Sequence, residues 1–132
     1  MSVESHADAF MDAIKRDVEL ADVTYEGNVT TRPEFYVSVF APTPGDSRHR
    51  FTGPQGRQDW TYVTHSVGTS PGQARWVANR LRAQLLDTVL PVDGHRCWPI
   101  RHPTGQPMQD DTDLNPPLYY LVDEWELTSF VA

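Results

Sequence analysis

His95, Cys97 and His102 are the side chains of this chain best suited to hold a metal ion, with His49 or His65 available as a fourth ligand. Their spacing argues against it. His95 and Cys97 stand two apart and share one side of a strand, His102 falls on the other side, and no standard zinc spacing is present. Cys97 beside Trp98 reads instead as a buried, inert thiol. Asp111, Asp113 and Asn115 alternate like the start of a calcium loop. Pro116, however, occupies the position that needs glycine, and no glutamate closes a twelve-residue loop. With Asp110 they read as a solvated acidic loop, exposed because like charges repel. His65 and Ser66 are neighbours whose side chains point apart on a strand, and no serine sits in a G-x-S-x-G turn. A glycine-rich phosphate loop is absent. Arg75, Arg80 and Arg82 near Trp76 could serve nucleic acid, but at 100° per residue Arg75 and Arg80 project about 140° apart. A solvated or protein-facing helix surface fits them better. The residues therefore predict no catalytic set, no cofactor and no metal.

The elements that position these residues are legible from periodicity. Thr61–Leu90 is the organising unit: a strand, a capped break and a patterned helix. Ser70-Pro71-Gly72-Gln73 is a helix start, with Ser70 as cap, Pro71 where a missing N–H costs nothing, and Gln73 at the capping-box spacing. The helix is expected to run to about Asp87, with Ala74, Val77, Ala78, Leu81, Leu85 and Val89 on the core face and Arg75, Asn79 and Arg82 on another. Ser5 to about Leu20 is a first helix with an apolar stripe of Ala7, Phe10, Met11, Ile14 and Val18. Val23 and Tyr25, then Phe35 to Ala41, suggest a hairpin about a turn at Gly27-Asn28.

Trp60–Val67 alternates as a strand, with Trp60, Tyr62, Thr64 and Ser66 on one side. Arg96–Arg101 can form another, which Pro99 confines to an edge or a bulge. Leu118–Phe130 is the longest strand pattern, with Tyr119, Leu121, Trp125 and Leu127 opposite Tyr120, Val122, Glu124 and Glu126. Long loops are expected at about 42–58, with Phe51 alone among Arg48, Arg50 and Arg57, and at about 103–117; such loops are commonly functional. The order α-β-β-β-α-β-β defines an α+β fold: two helices on one face of a largely antiparallel or mixed sheet of about four to five strands, in one domain spanning residues 1–132.

A chain of 132 residues buries roughly two-thirds of its unfolded surface. Neither a membrane-spanning run nor a signal pattern is visible, and the single cysteine forbids an intrachain disulfide, so an intracellular, soluble protein without membrane contact is expected. The net charge of −7 is segmented. Residues 1–46 carry three bases against nine acids, residues 47–101 eight arginines against three aspartates, and residues 102–132 six acids and no base. Arginine is enriched in protein interfaces and lysine depleted. Codon bias is the bland explanation for so many arginines; a subunit whose basic surface meets an acidic surface of its neighbour is the sharper one.

The run from Trp60 to Ala78, containing Gly68-Thr69-Ser70 and Gln73-Ala74-Arg75-Trp76, resembles the strand, Gly-x-Ser turn and Gln-Ala-x-Trp helix start of the tail terminator (minor tail protein U-like) family of long-tailed actinobacteriophages. Phe35–Val39 resembles that family's second strand, Leu118–Leu127 its C-terminal strand, and Val92-Asp93-Gly94 the segment after its helix; the similarity covers roughly Ser5 to Phe130. The resemblance implies a non-enzymatic virion protein, assembled in the host cytoplasm as a homo-oligomeric, hexameric ring at the head-proximal end of the tail tube. It would stop tube polymerisation and join the tube protein to a head-completion or stopper protein, with DNA passing through unbound. The residues nominated for subunit or partner contact are Arg48, Arg50, Phe51, Arg57, Arg75, Arg80, Arg82, Glu124 and Glu126, and those for a lumen-facing acidic loop are Asp110, Asp111 and Asp113. A different head–tail joining protein, and more remotely a small metal-dependent enzyme using His95, Cys97 and His102, are the alternatives.

Overall fold

A computed structural model describes residues 2–27, 33–42, 49–52, 57–111, 113–114 and 117–131. Its elements are α1 (Ser2–Lys15), β1 (Thr24–Glu26), β2 (Tyr36–Phe40), β3 (His49–Thr52), β4 (Arg57–Gly68), α2 (Pro71–Leu85), β5 (His95–Cys97), β6 (Arg101–Gly105), β7 (Gln109–Asp111) and β8 (Leu118–Val131). The fold is α+β, as expected.

Two long strands form the spine of the sheet. β4 and β8 pair antiparallel over their full common length, from Arg57↔Phe130 to Gly68↔Tyr119. β2 and β3 share the other edge of β4, and β5, β6 and β7 follow one another along the other edge of β8. β1 flanks β2 in parallel, Thr24 opposite Val37, so the expected hairpin is not formed. Among the described residues the sheet thus has eight strands, where the sequence indicated four to five. The additional ones are short edge pieces: β3 lies in the expected 42–58 loop, while β7 and the end of β6 lie in the expected 103–117 loop. They carry no apolar alternation because β8 and β4 supply their pairing, and backbone hydrogen bonds do not require an apolar face. Pro99 falls in the gap between β5 and β6, which splits the single strand expected there.

Both helices cover one face. Alternation along β4 buries Trp60, Tyr62, Thr64 and Ser66, and along β8 it buries Asp123, Trp125, Leu127 and Ser129. Phe10 of α1 stacks on Tyr62 at 4.2 Å, and Val77, Leu81 and Leu85 of α2 complete the core. Each such side chain contributes roughly 1.5–3 kcal/mol on burial.

The start of α2 follows its sequence signature. Ser70 is extended (φ −143°) and accepts from Gln73 N at 3.2 Å, while the Gln73 carboxamide oxygen reaches back to Thr69 N at 2.8 Å, one residue before the cap. Gly68 is required by packing: a Cβ there would lie 2.7 Å from Ala74 N, where strand end and helix start touch.

Both helices end earlier than their stripes suggest. Asp17 accepts Glu19 N at 2.9 Å, turning the chain after α1 so that Val18 points to solvent and Leu20 enters the core. After α2, Asp87 adopts a left-handed conformation (φ 60°) and donates its N–H to Ile100 O. Ile100 N in turn donates to Thr88 O, and this pairing exposes Val89 and buries Leu90. In both cases a backbone contact overrides a continuing apolar period.

Candidate assembly surface

The nominated arginines of α2 separate into two groups. Arg80 turns toward α1, where Nε and Nη2 lie 3.1 and 2.9 Å from Asp17 Oδ1 and the guanidinium sits over the Trp76 ring at 5.1 Å. This pair fastens the exit of α1 to the side of α2. Arg75, Asn79 and Arg82 line the other flank, above a cleft of about 300 Å³ whose remaining walls are Ala78, Met108 and Leu121. Arg75 is exposed and has no ion pair among the described residues.

Arg82 is bonded inward. Its Nη2 donates to Asp123 Oδ1 at 2.9 Å, and His102 Nε2 lies 2.9 Å from the same oxygen. Asp123 is 1% exposed, and its Oδ2 has no hydrogen-bond partner among the described residues, nor has Arg82 Nε. The contact links α2, β8 and β6 through one buried carboxylate. Gly105 permits it, since a Cβ at that position would meet Asp123 Oδ1 at 2.8 Å. In the sequence Asp123 reads with Glu124 and Glu126 only as part of the acidic character of the last strand, although it shares a strand face with Trp125 and Leu127, and a carboxylate on a core face requires a cationic partner.

At the far end of β8 a second cluster forms around the half-exposed Trp98. Arg57 and Arg101 lie over its ring at 5.3 and 5.9 Å, and Phe130 packs beside it at 5.2 Å. Arg57 pairs with Asp59, Arg101 pairs with Glu126 at 2.8 Å, and Thr128 Oγ1 donates to Asp59 Oδ1. Glu126 therefore has a partner within the chain. Glu124 sits half-buried on the same helix-free face, opposite Val63. Further along, His65 lies between Phe40 and Tyr120, at 5.0 and 5.6 Å; burial lowers its pKa below the ordinary imidazole value.

The remaining nominees are dispersed. Arg50 and Phe51 belong to β3, opposite Asp59 and Gln58, and Arg48 lies outside the described residues. Asp110 and Asp111 are exposed in β7, and Asp113 is exposed in the following turn; Asn115 is not among the described residues. His95 stacks edge-on against the buried His6, whose Nε2 is 2.8 Å from Ser129 Oγ, whereas His102 is held at Asp123. Burial raises the Cys97 pKa, which keeps the thiol protonated. No group of three or more metal-ligating side chains is assembled among the described residues.

No family model matches the chain, and no curated protein matches it. Solved structures do. One chain from the virion of a native gene transfer agent particle superposes with a TM-score of 0.67 over 92% of this chain and 91% of its own, at 12% identity. A second solved structure gives a TM-score of 0.61 at 17% identity, covering 100% of this chain and 96% of its own. At such identities the likeness is one of fold. No helix among the described residues is long and apolar enough to cross a membrane.

Proposed function

We propose that the chain is a virion structural protein, a tail terminator that forms a hexameric ring on the head-proximal end of a tail tube. In that role it stops tube growth and offers its outer surface to a head-completion or stopper protein. The observation that carries this reading is the near full-length agreement in fold with a chain of a gene transfer agent virion, taken with the resemblance of the 60–78 segment to tail terminators. The charge segmentation supports it, because a ring needs two complementary surfaces on each subunit. The role is structural, not enzymatic. In the ring the exposed Asp110, Asp111 and Asp113 border the lumen, where negative charge lets DNA slide without sticking.

Electron microscopy and mass measurement of the protein, alone and with tail tubes, test the proposal. Rings capping one end of the tubes are expected; a strict monomer absent from virions would overturn it. Binding on the portal side without capping tubes would identify a different head–tail joining protein.

A further inference from the structure

We infer that the cleft lined by Arg75, Asn79 and Arg82 is the seat for helix α1 of a second copy of this chain, in a head-to-tail contact. The inference rests on the assembly reading above and names the contact it needs.

The receiving side is a shallow site with an apolar floor of Ala78, Met108 and Leu121 and a cationic lip. Arg75 and Arg82 lie seven residues apart on α2, about 10.5 Å along its axis, with Asn79 between them. Arg75 has no ion pair among the described residues, and Arg82, though tied to Asp123, keeps 38% of its side chain exposed. The donor side is the outer face of α1. Glu4, Asp8 and Asp12 follow at four-residue steps, all exposed and none in an ion pair among the described residues. Their span of eight residues is about 12 Å, so the acidic row matches the basic row in length as well as sign. The basic row from Arg75 to Arg82 of one helix thus meets the acidic row from Glu4 to Asp12 of another, with Asp8 at the centre of the acidic row.

The two rows cannot meet inside one molecule. Arg80 faces α1 through Asp17 and projects about 140° around α2 from Arg75, so α1 and the cleft occupy different flanks of α2. A contact between unlike patches is heterologous, and repeated about a closed axis it produces a ring. Exposed pairs contribute modestly to affinity, but like charges placed face to face are strongly repulsive, so reversal is a sensitive probe.

The experiment compares wild type, Arg75→Glu, Asp8→Lys and the double reversal by sedimentation and native mass measurement, and scores ring formation on tail tubes. Thermal melts verify that each variant is folded, and Asp12→Lys replaces Asp8→Lys if the latter melts early. Each single reversal is expected to weaken association about tenfold or more, and the double reversal to restore it. Rings that persist unchanged in Arg75→Glu would overturn this inference while leaving the proposed function standing. Restoration by Asp110→Lys instead of Asp8→Lys would do the same, by assigning the cleft to the acidic β7 segment. A wild-type protein that stays monomeric, with and without tubes, would overturn both.

Discussion

Arg82 Nη2 on α2 lies 2.9 Å from Asp123 Oδ1 on β8, and the carboxylate it meets is almost completely buried. His102 shares that oxygen from β6, so three elements are joined at one atom. Removing the arginine leaves a buried charge with only an imidazole to balance it. Arg82→Leu is expected to cost about 2 kcal/mol, below the 3–5 kcal/mol of fully buried pairs because the guanidinium is partly solvated. Asp123→Asn is expected to cost less, and the double variant less than the sum of the two. Urea denaturation of the four proteins in a double-mutant cycle measures the coupling.

Gly68 makes a separate prediction. An added methyl group would press on the backbone of Gln73 and Ala74, which cannot move without displacing the helix start. Gly68→Ala is expected to destabilise by about 1–3 kcal/mol, as overpacking does, whereas Gly72→Ala meets open space and lies in the first turn of the helix. Thermal unfolding distinguishes the two variants.

Tyr62 is fully buried, and its hydroxyl has no hydrogen-bond partner among the described residues. Burial, followed by the nearby Cys97 and Glu26, pushes the phenol pKa far upward, so the group stays protonated under all ordinary conditions. An unsatisfied buried hydroxyl costs about 1–3 kcal/mol. Tyr62→Phe keeps the stack on Phe10 and is expected to leave stability unchanged or raise it by about 1 kcal/mol. A lower denaturation midpoint would reveal a bonded water at the hydroxyl.

His65 governs a pH dependence of definite sign. Burial between Phe40 and Tyr120 disfavours its charged form, so the folded pKa lies below the unfolded value of about 6.5. The unfolded chain then binds more protons in the window below that value, and stability contributed by the neutral ring is lost as pH falls through it. Denaturant titrations between about pH 7.5 and 5 are expected to show a smaller decline in His65→Gln than in wild type. Equal declines would place the titration elsewhere.

Periodic segments disclosed the architecture: the core face of β4, the buried side of α2 from Ala74 to Leu85 and both sides of β8 could be read from apolar spacing. The ends of the helices could not: the Asp87–Ile100 contact is made by a partner distant in sequence, and Asp17, which turns the chain through Glu19 N, is itself held by the distant Arg80. For the same reason β3, β6 and β7 were hidden, since their pairing is supplied by β4 and β8 and leaves no alternation of its own. On the surface of α2, Arg75, Asn79 and Arg82 share a flank by helical geometry alone. That Arg80 and Glu126 have partners within the chain required the third dimension.

The central place of β8 constrains the order of folding. It follows every other element in sequence, yet it separates β4 from β5, β6 and β7, and Trp60 reaches Ser129 across 69 positions. Until that strand enters, β4 is paired only on the edge it shares with β2 and β3, and β5, β6 and β7 lack the strand they pair with. Folding dominated by such distant contacts is slow, in the range of milliseconds to seconds. A nascent chain therefore exposes one edge of β4 through most of its synthesis, and its sheet is completed only when the last strand enters.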